Sequence, residues 1–456
     1  MYTCEKIGRL VSDIVDVPPS AMEATRRCIL DAVSAAVPGQ ATEGGKAARN
    51  GAIAVWGKGP IPIWLSSARS TTLGTVFANS AAVSMLDLDD GHRAAAGHPG
   101  ASIVPSVVAA VHEEPSLASR ATTAIAIGYQ VGVSIAASRD LRTLDTVDTG
   151  RWCGQAAAAA VGWLKGASPR AIAEAIAASG TIAPMIATAG FTQVGNHVKE
   201  AIPHATANGL VCLHLAQAGF IAPLDILDDE SYFNSRRLVD MFQKAWLIES
   251  TYFKPYSCCR FIHASIDGLL KITADRNLSI QDITKIRVET FGRALSLPNQ
   301  KAPNSLQHAQ YSIPFCLGVT AARGRDALVP MTDPSLLTDP AVLSVSSLVD
   351  LVFDADLDSQ FSAAVPSRIT VSCGDKSFSE TVMTPLGEPS NPMGWDALFE
   401  KFHVLASPHL VSRQEADLRR ALDDMRAGDL TPLLIELSRP AAMPEKSSSP
   451  QTVMRI

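Results

Sequence analysis

Between Leu86 and Pro99 the chain reads LDLDDGHRAAAGHP, which sets Asp87, Asp89, Asp90, His92 and His98 in one short stretch. The stretch follows an apolar, helix-like run, so three acids stand where the dipole of a helix C-terminus disfavours them. Solvation, pairing or use in chemistry would each account for their presence. Carboxylates beside imidazoles suit proton transfer, because an imidazole titrates near neutrality and a neighbouring acid orients or ionises it. His98, followed by Pro99 and Gly100, sits on a turn from which its ring can reach a cleft, and it is the first catalytic candidate. Asp and His at this spacing are also ligand types for Mg, Mn or Zn, but neither an HExxH motif nor a second acid-rich motif accompanies them. The bland alternative is a solvated helix end.

The chain that must position these groups has 456 residues, beyond the size at which a single hydrophobic core stops growing, so two domains are expected. Its 47% hydrophobic and 18% charged residues fit a globular protein with a large core. A net charge of -6 and scattered Lys and Arg residues provide no stripe to neutralise phosphates, which excludes nucleic acid as the expected partner. An anionic substrate would have to be held by a few local cations, because the overall field mildly repels it. The eight cysteines form no CxxC pair or cluster-like spacing and read as reduced, packed thiols. Cys258 and Cys259 receive no catalytic role, since no triad-like spacing accompanies them. The N-terminal MYTCEKIGRLVSDIVDV lacks the pattern of a secretory leader, so a cytoplasmic location is expected. Ala175 to Val198 and Ala201 to Leu224 carry no acid, Lys or Arg, yet Gly, Pro, His, Asn and Gln interrupt them. They are expected to be buried helices of a large helical domain and not membrane spans.

Alanine-rich helical segments dominate to about Ser250: Ser20 to Val37, Thr71 to Leu86, Pro105 to His112, Ala121 to Ser138, Gly154 to Lys165, and Pro169 to Ala178. After Lys254 a helix from Arg260 to Ala274 precedes the alternating strand Lys285 to Thr290. Ser367 to Cys373 and Ser377 to Met383 flank Gly374-Asp375 as a β-hairpin. Helices return at Gly394 to Leu405, Ser412 to Met425 and Thr431 to Ser438. The expected fold is mainly α, a large all-helical domain built from both chain ends and interrupted by a smaller α+β domain. The expected bounds are 1–253 and 388–439 for the helical domain, 254–387 for the insertion, and 440–456 for a Pro/Ser-rich disordered tail.

Ala78 to Pro105, with its acidic segment and H-P-G turn, resembles the MmgE/PrpD family, which includes 2-methylcitrate dehydratase, cis-aconitate decarboxylase and iminodisuccinate epimerase. Gly128-Tyr129-Gln130-Val131, GQAAAAAVGWLKG at Gly154 to Gly166, HVKEAIPHATANG at His197 to Gly209, KPYSCCRFIH at Lys254 to His263, and GEPSNP at Gly387 to Pro392 follow in the family's order. The resemblance spans almost the whole chain, and it is the order of motifs, not any one of them, that carries it. It implies an active site between the two domains, a homodimer, no metal or other cofactor, and a small di- or tricarboxylate substrate.

Position by position, the resemblance carries over Asp87, His98, Lys199 and Lys254, expected to be catalytic, and His263; the expected substrate-binding residues are His263, Arg260, His92 and His204. Two lysines would offset substrate carboxylates, Asp87 and His98 would move protons, and Arg260 could add a bidentate clamp. Without the motif, Lys199 would read as a surface residue, Lys254 as a linker lysine and His263 as a satisfied core histidine. The chain departs from the family at Asp145, where many relatives have histidine, at Ile202-Pro203-His204, and at Gly91, where threonine commonly follows the double aspartate. His204 or His92 would then compensate. The leading expectation is a hydro-lyase acting by α-proton abstraction. Decarboxylation or epimerisation would use the same abstraction, and a carboxylate-binding protein that lost its chemistry is the remaining class.

Overall fold

Ser168 and Pro169 show how the sequence writes the helices: the Ser168 hydroxyl accepts from the Ala171 N–H, and Pro169 occupies the first helical position, where no N–H is needed. The protein is described from a computed structural model covering residues 1–144, 147–184 and 196–444. Helices at Pro19–Ala41, Thr72–Ser84, Ala121–Ala137, Cys153–Leu164 and Pro169–Thr181 lie where the alanine-rich segments place them. The helix expected from Pro105 begins at Gly100 and runs to Glu113, with Pro105 inside it. Its start is fixed by tertiary structure, since Asp90 Oδ1 accepts the Gly100 N–H at 2.9 Å.

The architecture is mainly α with a smaller α+β part. One hydrophobic core joins both ends of the chain, with Ile7, Leu30, Ile103 and Tyr129 packed in the same cluster as Leu398, Leu422 and Leu437. A second core contains Ile262, Leu269, Ile286, Val288, Phe315, Val349 and Ile369. Burying such side chains contributes about 1.5–3 kcal/mol each, so both cores are substantial sources of stability.

The second core sits under a four-stranded sheet. Lys285–Thr290 pairs in parallel with Val349–Phe353 and antiparallel with Ser367–Cys373, which pairs in turn with Lys376–Val382. In the first strand Ile286, Val288 and Thr290 face inward, as the period of two requires. The helix Arg260–Arg276 packs on the hairpin strands.

Among the described residues no helix is long and apolar enough to cross a membrane. The uncharged Ile202–Gln217 helix instead packs on Thr72–Ser84, Cys153–Leu164 and Pro169–Thr181. At the C-terminal end, Ala441 N–H donates to the Leu65 carbonyl, and the Ala442 carbonyl accepts from Val411 N–H. The chain is thus still packed beyond Pro440, and residues 445–456 lie outside the described residues.

Three segments meet where the two cores adjoin. Gly91–His92 pairs antiparallel with Thr251–Tyr252, Ser257 Oγ donates to the Leu86 carbonyl at 2.7 Å, and Phe253 N–H donates to the Gly387 carbonyl at 3.0 Å. The motif stretches around positions 90, 255 and 388, distant in sequence, therefore converge at one seam.

Candidate active site

His98 stands in a ring of carboxylates. Its Nδ1 is 3.1 Å from Asp89 Oδ2, and its Nε2 is 3.4 Å from Asp87 Oδ1 and 4.0 Å from Glu200 Oε1. Burial and the Lys254 charge push the imidazole toward its neutral form, but Asp89 and Glu200 outweigh them and raise its pKa above the usual value. Asp87 Oδ2 and Asp89 Oδ1 are buried without a donor among the described residues, which concentrates negative potential beside the ring. His98 is therefore held toward the imidazolium.

Lys254, 1% exposed, donates to Asp87 Oδ1 at 2.7 Å and to the Asp87 carbonyl at 3.1 Å. Burial opposes both charges. Lys254, His98 and Lys199 nonetheless hold Asp87 well below the ordinary carboxylate range, and Asp87 and Asp89 raise the Lys254 pKa. Ligand atoms of Asp87, Asp89 and His98 lie within 4.8 Å of one another, a spacing a cation could use. The Lys254 ammonium already supplies positive charge on Asp87.

Lys199 enters differently. It has no carboxylate within ion-pair distance among the described residues; its Nζ donates to Gln310 Oε1 at 2.5 Å and lies 5.5 Å from the Tyr311 ring centroid. Burial and the nearby Lys254 charge lower its pKa, against the pull of Asp87. Lys199, Glu200 and Ala201 are three consecutive left-handed residues, with φ of 47°, 55° and 58°, and Asp87 is left-handed as well at 55°. Such conformations cost roughly 1–3 kcal/mol each and persist where surrounding structure imposes them. The left-handed turn sends Lys199 and Glu200 to one place, and Glu200 is anchored there because its Oε2 accepts from Thr149 N–H at 3.0 Å and Thr149 Oγ1 at 2.7 Å.

Asp87, His98, Glu200 and Lys254 border a partly enclosed cavity of about 40 Å³, lined also by Tyr311, Phe261 and Phe361, and Lys199 stands behind that wall. A water needs about 10–15 Å³ on the same measure, so the space beside His98 is on the scale of a few waters.

Not all expected binding residues face it freely. Arg260 lines the cavity, but its Nε and Nη2 both donate to Glu388 Oε1, at 2.9 and 2.7 Å, so its clamp grips a carboxylate of the chain itself. Arg93 holds the same carboxylate, and the two guanidiniums flank the Tyr252 ring at 4.8 Å each. His263 is fully buried with both nitrogens used, Nδ1 by Arg260 and Nε2 by the Cys258 carbonyl, each at 3.1 Å; it orients Arg260. His92 borders the cavity, but its Nε2 bonds to the Leu247 carbonyl at 2.9 Å and its Nδ1 accepts from Ala94 N–H, and burial lowers its pKa to about 4. His204 is exposed on the Ile202–Gln217 helix, edge-on to Phe77 at 4.9 Å, and is not part of the cluster. Cys259 lines the cavity with its thiol pushed up to about 12 by burial and Asp87, a poor nucleophile.

Sequence reasoning missed Glu200, Gln310, Tyr311 and Glu388. Glu200 adjoins Lys199, and Glu388 lies inside the GEPSNP stretch, so both were within reach. Nothing in the sequence marks Gln310 or Tyr311.

The N-terminal domain model of MmgE/PrpD proteins matches residues 10–238, and the C-terminal domain model matches 256–425. The chain belongs to the MmgE/PrpD family. It is 23% identical to a cis-aconitate decarboxylase of Aspergillus terreus, over 97% of this chain and 96% of that protein, and 22% identical to a second one from the same organism. One departure from the MmgE/PrpD pattern has a physical explanation: a Cβ at Gly91 would come 2.3 Å from the Tyr252 hydroxyl, so the phenol fills the space a threonine would need. Gly387, with φ of 96° and a Cβ position 1.9 Å from the Phe253 carbonyl, likewise admits only glycine and sets the place of Glu388. The departure at Asp145 lies outside the described residues.

Proposed function

We propose that this chain is a lyase that needs no cofactor and dehydrates a small hydroxylated di- or tricarboxylate of the 2-methylcitrate type. The observation that carries the reading is the pairing of His98, held toward its imidazolium with Nε2 beside the cavity, with Lys199, a buried lysine that has no carboxylate within ion-pair distance among the described residues. Lys199 binds the substrate carboxylate and offsets the charge that grows on it as the α-proton passes to the ionised Asp87 carboxylate, which lines the cavity and whose Oδ2 has no donor among the described residues. His98 protonates the departing hydroxyl, which leaves as water. Lys254 keeps Asp87 ionised, and Asp87 with Asp89 keeps the imidazole charged and oriented. Arg260 and Arg93 act through Glu388 to shape the far wall.

Proton NMR of the EDTA-treated protein with 2-methylcitrate, citrate, cis-aconitate and iminodisuccinate tests this. New vinyl signals from a hydroxy acid support dehydration, and turnover that disappears with EDTA and returns with a divalent metal contradicts the cofactor-free reading. Decarboxylation is the second reading, favoured by the similarity to the two cis-aconitate decarboxylases along nearly the whole chain; it would show as loss of a carboxylate from cis-aconitate. Exchange of an α-hydrogen for deuterium without net conversion would indicate epimerisation.

The protein acts as a homodimer in this reading. Support comes from the uncharged helix Ile202–Gln217, which exposes His204, edge-on to Phe77, and, about three turns on, Leu215. Light scattering coupled to gel filtration reads the mass directly.

A further inference from the structure

The seam places two groups of opposite hydrogen-bonding character 4.0 Å apart, His98 Nε2 and Glu200 Oε1, at the wall of the cavity. They are fixed by a common residue. Thr149 Oγ1 accepts the His98 backbone N–H at 3.1 Å and donates to Glu200 Oε2 at 2.7 Å, while Thr149 N–H donates to that same oxygen at 3.0 Å. One Glu200 oxygen is thus occupied and the other is turned to the imidazole. Glu200 lies in the left-handed run 199–201, and its charge is near enough to act on the buried Lys199 ammonium.

We propose that Glu200 is a specificity-determining residue that reads a hydroxyl on the substrate, accepting its hydrogen bond while His98 Nε2–H donates to the same oxygen. A hydroxyl both donates and accepts, and an oxygen about 2.8 Å from each partner fits a 4.0 Å gap. A substituent without a donor leaves the Glu200 oxygen unpaired in a partly enclosed cavity, and a carboxylate there meets a like charge; both are penalised. Lys199 holds the carboxylate next to that hydroxyl. The assignment rests on the carboxylate-binding reading of the cavity and adds what that reading leaves open, the residue that separates hydroxy acids from their deoxy and unsaturated counterparts.

Calorimetric titration of the intact protein with two matched pairs, malate against succinate and citrate against tricarballylate, isolates the hydroxyl. The hydroxylated member of each pair binds at least about tenfold tighter to the wild type, the scale set by leaving a buried charged acceptor unpaired. Glu200→Gln shrinks that preference to within about twofold and tightens the deoxy members. Glu200→Asp, which keeps the charge but draws it back, gives a smaller loss of preference and guards against a fold effect of the first variant. Lys199→Met weakens all four probes alike. If it does so while Glu200→Gln keeps the full preference, the role of Glu200 is overturned and the carboxylate site stands. If Lys199→Met changes nothing, or no probe binds the wild type, the carboxylate reading falls and the role of Glu200 with it.

Discussion

Two buried lysines hold the loop after the Thr72–Ser84 helix from opposite sides, and they do the same thing chemically. Lys254 bonds an aspartate carboxylate and the Asp87 carbonyl; Lys401 bonds the Asp31 carboxylate and the Leu88 carbonyl, each at 2.6 Å. Behind the loop, Asp90 accepts from the Tyr129 hydroxyl and the Gly100 N–H, and burial with the Asp31 charge raises its pKa to about 7. The difference lies in what each cluster borders. The Lys401 side is buried in the helical core and borders no cavity among the described residues, so its bonds serve to place the loop. The Lys254 side opens on a cavity lined also by His98 and Glu200, with Lys199 close enough to feel the Asp87 and Lys254 charges. A buried ion pair is therefore no mark of a site by itself. A titratable ring and a cation left without a carboxylate are what separate chemistry from scaffolding.

Breaking the open side should have the largest effect. His98→Ala should slow turnover by about 10²–10⁴, measured as kcat on the substrate identified by NMR at a temperature where thermal melting shows both proteins folded. Breaking the closed side should cost stability first. Lys401→Met leaves the Asp31 charge unpaired in the core, and urea unfolding should show a loss of roughly 3–5 kcal/mol. The double variant Asp31→Leu with Lys401→Met should recover most of it, whereas no second substitution in the helical core should restore His98→Ala.

A pH series sharpens the contrast. Asp90 binds its proton more tightly folded than unfolded, so between its unfolded value near 4 and its folded value of about 7 the folded state holds more protons and stability falls as pH rises. Asp90→Asn should flatten that fall and make the protein more stable than wild type at pH 8, by a few kcal/mol at most. The raised His98 pKa has the same sign for stability, with its contribution present below about 6.5 and lost as pH rises through the folded value. As a required acid it should also make kcat/KM fall on the alkaline side of neutrality, a limb absent from any residual activity of His98→Ala. The smallest effect is expected for His204→Ala, within about 0.5 kcal/mol in stability and without change in kcat or KM, because that ring is exposed and away from the cavity.

The helical half was legible because its alanine-rich periodicity and caps such as Ser168-Pro169 are local signals, and the hairpin because strand alternation brackets Gly374. The strand Val349–Phe353 escaped because it pairs in parallel with a distant segment and its inner and outer faces are not cleanly alternating. In the site, Asp87, His98, Lys199 and Lys254 were legible through motif order, and the structure brings all four to one seam. The spacing of His92, His204 and His263 looked equally chemical. Their rings are spent on a backbone carbonyl, on Phe77 and on Arg260, which only tertiary packing decides. Glu200 was hidden for the converse reason, since an acid next to a lysine usually points away from it, and only the left-handed turn turns both inward.

The central claim is that His98 moves a proton on a carboxylate substrate bound at Lys199. The most direct test compares wild type and His98→Ala by proton NMR in deuterated water, after EDTA treatment, with citrate and 2-methylcitrate. The account predicts vinyl signals that grow with the wild type and are absent or at least about a hundredfold slower with the variant. Unchanged conversion by His98→Ala would contradict it.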